Sequence, residues 1–203
     1  MNRRSKNQLK ISHKSKLMVS RPILLISLVL IIFFASTTGY FLLSRYEVDL
    51  VEDREYFSVA RELLRDAKEE VLVLMYSMEY FPKYREDSST QLVEELMYAA
   101  ERGVNVMVLL EKGSDELARR NWFACTKLRE RGVDARLYER SNGVLHAKAM
   151  IVDEKYVLLG SSNWRHYSLD LNRELNLLLE SRDLAKEAKG YFFRVWGGSR
   201  ICR

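Results

Sequence analysis

Apolar and polar positions divide the 203 residues into two regimes. Residues 23–43 read ILLISLVLIIFFASTTGYFLL without a charge, and at about 1.5 Å per residue a helix of that length spans roughly 30 Å of hydrocarbon. Beyond residue 55 the apolar positions become periodic. Phe57, Ala60, Leu64 and Ala67 recur at helical spacing within 56–69, and 71–76 reads as a buried strand. A second helix starts at Ser89 or Thr90, carries Leu92, Leu96, Ala99 and Ala100, and stops at Gly103 before the strand 104–110. A third runs from Asp115 to Gly132 and precedes the strand 133–138. Strands then dominate, at 145–152, 156–160 and 174–180, with a closing helix over 184–196. This order predicts an α/β domain with a mixed, mostly parallel β-sheet and helices on both faces, preceded by one transmembrane helix.

Charge sharpens the division. Eight of the 33 Lys and Arg lie in residues 1–46 with no acid among them, so 47–203 carries 25 basic and 28 acidic residues, a net charge of −3. Any polyanion the domain handles must therefore be gripped by a local cluster. Seven basic residues precede the apolar run and Glu47, Asp49, Glu52 and Asp53 follow it. The positive-inside rule then places a basic cytoplasmic tail at 1–22, a signal anchor at 23–43, a linker at 44–54 and an extracytoplasmic domain at 55–203. A cleaved signal peptide, cut near Ala35 or Thr37, is the competing reading. With only Cys125 and Cys202, the chain has neither a disulfide framework nor a four-thiolate zinc site, and their pairing stays open.

Candidate chemistry gathers in the second half. On a strand at 145–152, His146 and Lys148 share one face, while Ala147, Ala149 and Ile151 share the other. Glu174 and Asn176 likewise face away from Leu175 and Leu177. Between them lies Gly160-Ser161-Ser162-Asn163. His146-x-Lys148, four residues, Asp153 and then GSSN resembles the HxKx4D and GSxN signature of the phospholipase D superfamily. Each piece alone is commonplace. Together, at fixed spacing, they would arise by chance at a rate on the order of one in a million. The resemblance extends over most of 55–196 and implies a phospholipase D-like fold, with Glu174 as the carboxylate partner of the histidine.

The residues suit that chemistry. A phosphodiester resists nucleophiles because it is an anion, so catalysis needs cations and donors on its nonbridging oxygens, a nucleophile and an acid. Lys148, Asn163 and Ser161 can hold the oxygens, His146 can attack phosphorus, and Asp153 is expected to fix the strand end. The scheme requires no metal or cofactor, and the sequence displays no obvious metal cluster. One histidine cannot conveniently serve as both nucleophile and opposed acid. Superfamily members supply two motif copies, whereas this chain has one, so the resemblance implies a homodimer with a shared site.

Single-copy members are typically nucleases, which makes a membrane-anchored endonuclease acting on single-stranded or duplex nucleic acid the leading expectation. Tyr80, Lys83 and Arg85 are the candidate strand-binding residues, with Tyr76, Phe81 and Tyr84 nearby to stack on bases. Arg120, Lys127 and Arg131 share a helical face that reads as an ordinary solvated one. The alternatives are a phospholipase or phosphatidyl transferase acting on membrane lipid, and a catalytically silent phosphate-binding module.

Overall fold

The computed structural model describes residues 21–43, 47–139 and 143–202, with side chains described only for 25–36 in the first of these segments. That segment is one helix, α1 (Arg21–Leu43), whose described side chains are exposed. Among the described residues no helix is long and apolar enough to cross a membrane. The expected span 23–43 thus coincides with a helix, but the crossing itself rests partly on side chains outside the described residues, as does the basic tail.

Residues from Tyr46 onward form a separate compact unit. In chain order its elements are β1 (Glu47–Glu52), α2 (Glu55–Asp66), β2 (Glu70–Met75), α3 (Ser88–Glu101), β3 (Asn105–Glu111), α4 (Asp115–Glu130), β4 (Asp134–Tyr138), β5 (Lys148–Val152), β6 (Tyr156–Gly160), a π-helical turn (Tyr167–Leu171), β7 (Leu175–Glu180), α5 (Arg182–Trp196) and β8 (Ser199–Ile201). All eight strands join one sheet in the order β1-β7-β6-β5-β2-β3-β4-β8.

Strand alternation assigns the two layers. Val71, Val73 and Met75 of β2 face α2, α3 and α4 through Ala60, Leu64, Leu92, Leu96, Ala124 and Leu128. Leu72 and Leu74 face the other way, toward Ala185, Phe192 and Trp196 of α5. Asp87 caps α3 by accepting the Thr90 N–H at 2.9 Å, and Ser181 caps α5 through the Leu184 N–H.

Three expectations need correction. The sheet is mixed but not mostly parallel: only β2–β3 and β3–β4 pair in parallel. The other five pairings are antiparallel: β5 lies back on β2 and turns into β6 through residues 153–155, and α5 carries the chain from β7 across to β8 beside β4. Residues 47–52, expected within a linker, form an edge strand on β7, with Val51 buried and Val48 and Leu50 exposed. The strand expected at 145–152 begins only at Lys148, so His146 precedes the ladder.

Cys125 of α4 and Cys202 after β8 form a disulfide, which settles a pairing the sequence left open and ties the last strand to the helical layer. It closes a 77-residue separation. Replacing both cysteines with serine should lower unfolding free energy by about 4 kcal/mol in the loop-entropy account, read as a shifted denaturation midpoint in urea.

Candidate active site

The site forms where β2 ends between a parallel neighbour and an antiparallel one. Pairing of β5 on β2 sets Lys148 opposite Met75, and the Tyr76 N–H donates to the Ala147 carbonyl at 3.0 Å. The Tyr76 ring consequently lies against the His146 ring, centroids 4.5 Å apart, and 5.0 Å from the Lys148 ammonium. Asn121 of α4, fully buried, clamps this corner. Its amide donates to the Tyr76 and Glu111 carbonyls at 2.8 Å each and accepts the Met78 N–H at 2.9 Å. Glu111 holds the approach to His146 by accepting the Leu145 N–H at 2.6 Å.

Lys148 is buried while His146 is exposed. The Lys148 Nζ donates to the His146 carbonyl at 2.8 Å and lies 3.2 Å from Nδ1 and 3.4 Å from Nε2. Burial pushes the Lys148 pKa below its ordinary value, and the nearby Glu174 charge partly offsets that. Cation and imidazole thus meet at one point, as catalysis on a phosphodiester requires.

Asp153 lies at the strand end. It occupies a left-handed conformation in the β5–β6 turn and accepts the Lys68, Glu69 and Glu70 N–H groups at 2.9, 2.8 and 2.9 Å. Gly160 has a steric reason. A Cβ there would lie 2.6 Å from the Asn176 Cα, so only glycine lets β6 approach β7 this closely. Asn176 then holds the GSSN turn, accepting the Ser162 N–H at 3.1 Å and donating to its hydroxyl at 3.0 Å. The turn is stitched to the end of β2 by Trp164 N–H to Ser77 O at 3.1 Å and Glu79 N–H to Trp164 O at 2.8 Å. Asn163 sits on this turn with a buried side-chain oxygen that has no hydrogen-bond partner.

Glu174 lies among polar side chains: within one chain its described hydrogen bonds come from Ser161, from Ser168 Oγ at 2.8 Å and from Asn172 Nδ2 at 3.2 Å. Its charge favours the Lys148 ammonium. Ser161, expected to contact substrate, is occupied with Glu174 and the Leu175 N–H.

No described contact joins the expected strand-binding residues to His146. Tyr80 is half-buried, stacks on Phe123 at 6.3 Å and packs on the core, and burial raises its pKa. Lys83 and Arg85 are exposed on the segment before α3. Arg120, Lys127 and Arg131 are paired to acids, in keeping with a solvated face. Two features escaped the sequence. Buried Glu79 binds Arg120 at 2.8 Å and Arg165 at 3.2 Å. Also, contrary to the expectation of no metal cluster, Asp87, His166 and Asp170 converge. Their separation of 79 residues between Asp87 and His166 hides them from any local pattern.

Comparison with known proteins agrees with the geometry. A family model described as "Cardiolipin synthase, PLD-like domain" matches residues 60–196. Cardiolipin synthase A of Buchnera aphidicola subsp. Baizongia pistaciae is 34% identical over 102 residues, covering 48% of this chain and 20% of that protein. The mitochondrial cardiolipin hydrolase of Canis lupus familiaris is 32% identical over 109 residues, covering 54% of this chain and 41% of the relative. The chain thus spans between a fifth and two fifths of the length of these relatives. Among solved structures, Nuc from Salmonella typhimurium, a phospholipase D family member, superposes with a TM-score of 0.63 at 20% identity over 77% of this chain and 97% of Nuc. Phosphatidylserine synthase of Haemophilus influenzae gives 0.61 at 14% identity, over 78% of this chain and 40% of that one.

Because Asp153 satisfies three backbone donors at once, Asp153→Ala should cost roughly 2–4 kcal/mol of stability, visible as a lower urea midpoint. Asp153→Asn, which keeps an acceptor, should cost less.

Proposed function

The chain belongs to the phospholipase D superfamily through its PLD-like domain, and from that premise we propose that it is an endonuclease that cleaves nucleic-acid phosphodiesters at a centre shared by two chains. The observation carrying the proposal is the Lys148 ammonium, within 3.4 Å of both ring nitrogens of the exposed His146. In this scheme His146 attacks phosphorus, a P–N bond forms as the P–O bond to the leaving alcohol breaks, and Lys148 and Asn163 hold the nonbridging oxygens. The second chain's copy of the same histidine protonates the leaving oxygen. Water then releases the phosphoryl group from nitrogen.

Support for two chains is the single motif copy together with exposed apolar side chains around the site, Val144, Leu171 and Leu175. Support for nucleic acid is the superposition on Nuc, 97% of whose chain is matched. A lipid phosphodiester is the second reading, favoured by the family description and by relatives named for cardiolipin. We further propose that residues 23–43 anchor the protein in a membrane with the domain outside the cytoplasm. The charge asymmetry and the Cys125–Cys202 disulfide, a bond that persists in oxidising compartments, support this.

Incubation of the full chain with single-stranded DNA, RNA, duplex DNA and cardiolipin vesicles separates the substrate readings. Nucleic-acid cleavage that disappears in His146→Ala is expected, and turnover of lipid alone would replace the nuclease reading. Titrating His146→Ala subunits into wild type, with exchange verified, should reduce activity as the square of the wild-type fraction. A linear decline would assign a complete centre to each chain.

The lowered pKa of Lys148 bounds the range in which the site keeps this cation. As pH rises through that value the ammonium is lost, so affinity for the anionic substrate, read through KM, should begin to fall below the ordinary lysine value of 10.5. Lys148→Arg, which stays charged, should remove that loss of affinity even where its rate is low.

A further inference from the structure

We propose that Asp87, His166 and Asp170 form a binding site for a divalent metal ion of the zinc type, separate from the His146–Lys148 centre. The three donor atoms lie within 4.8 Å of one another. His166 Nδ1 is 2.9 Å from Asp170 Oδ2 and 3.2 Å from Asp87 Oδ1. In a tetrahedral site with bonds near 2.0 Å, neighbouring ligand atoms are about 3.3 Å apart. The two spacings to the imidazole are close to that value and the spacing between the carboxylates is at most 4.8 Å; one imidazole with two carboxylates is a donor set suited to Zn²⁺, with a net charge that offsets it.

The carboxylates are held from behind, as metal ligands usually are. Asp87 uses Oδ2 to accept the Thr90 N–H at 2.9 Å and the Ser89 hydroxyl, while Asp170 uses Oδ1 for the Ser88 hydroxyl. Each is left with one oxygen whose described polar partner is the His166 ring. The Asp87 side chain is only 9% exposed. A carboxylate so shielded from water is stabilised by a cation in direct contact with it.

All three residues border a cavity of about 580 Å³, also lined by Phe81, Tyr84 and Tyr167. The cavity leaves a fourth coordination position open to water or to a ligand. The two guanidinium groups on the same wall, Arg120 and Arg165, are paired to Glu79, so they do not fill the cation's place between the aspartates.

An ion here would act on the segment that joins two site residues. His166 and Asp170 lie between Asn163 and Glu174, and Ser168 and Asn172 of the same segment donate to Glu174. Coordination to Asp87, the cap of α3, staples that segment to the helical layer.

The test uses the full, disulfide-intact chain in detergent, stripped with chelator and dialysed, so that no free thiol competes for metal. Titration calorimetry with Zn²⁺ should show one tight site per chain, and Co²⁺ should give the visible absorption of a low-symmetry complex. His166→Ala and Asp170→Asn should each weaken Zn²⁺ binding by at least roughly tenfold. His146→Ala should leave it unchanged. Asp170→Asn is nearly isosteric, and far-UV circular dichroism of each metal-free variant checks that it is folded. No saturable Zn²⁺ uptake by the wild type, or uptake unaffected by both substitutions, would reduce the triad to a surface ion pair and overturn the proposal. Loss of binding in His146→Ala would do the same by moving the ion to the other centre.

Discussion

The register of β5 on β2 is the constraint from which the candidate site follows. With Lys148 opposite Met75, the residue that follows β2, Tyr76, must meet the segment that carries His146. A slip of one residue would turn Lys148 toward α5 and bring Ala147 or Ala149 to the site. Asp153 prevents that slip. It sits at the far end of the same pair and accepts three N–H groups from the start of β2, so both ends of β5 are pinned to one neighbour. Loss of this lock would be felt at His146, seven residues away in sequence, through strand alignment and without any contact between the two.

Around that frame, buried polar groups do what hydrophobic packing cannot, because packing is tolerant of direction and hydrogen bonds are not. Asn121 reaches from α4 to the backbone of β2 and β3, Glu111 holds the N–H before His146, and Asn176 shapes the turn bearing Asn163. Trp164 adds a further tie, donating to the Tyr56 hydroxyl at 2.9 Å. Burial of that phenol drives its pKa up to about 12, so it stays neutral as a partner. Satisfied networks of this kind make the site stiff. The Asn163 side-chain oxygen and the Ser77 hydroxyl are exceptions near the site, buried without a hydrogen-bond partner among the described residues.

The electrostatic balance of the site is divided between neighbours. Lys148 pays a desolvation penalty, offset by Glu174 and by the face of Tyr76. Glu174 is itself held in place by two hydroxyls and an amide. A buried cation beside an exposed imidazole is a costly arrangement for stability and a useful one for an anionic substrate, which would supply the missing countercharge.

What the sequence by itself determined was local or periodic. The helices α2 to α5, the strands β2 to β7 and the His146, Lys148, Asp153 and Asn163 set were legible because periodicity and fixed spacing are properties of adjacent residues. The edge strands β1 and β8 were not, since a short half-exposed strand is defined by the partner it pairs with. The direction of the sheet, the pairing of Cys125 with Cys202, the place of Glu174 among hydroxyls and the meeting of Asp87 with His166 were decided only by the tertiary structure. Each depends on a contact between residues far apart in the chain, and distance along a sequence carries no information about distance in space until the strands are laid side by side.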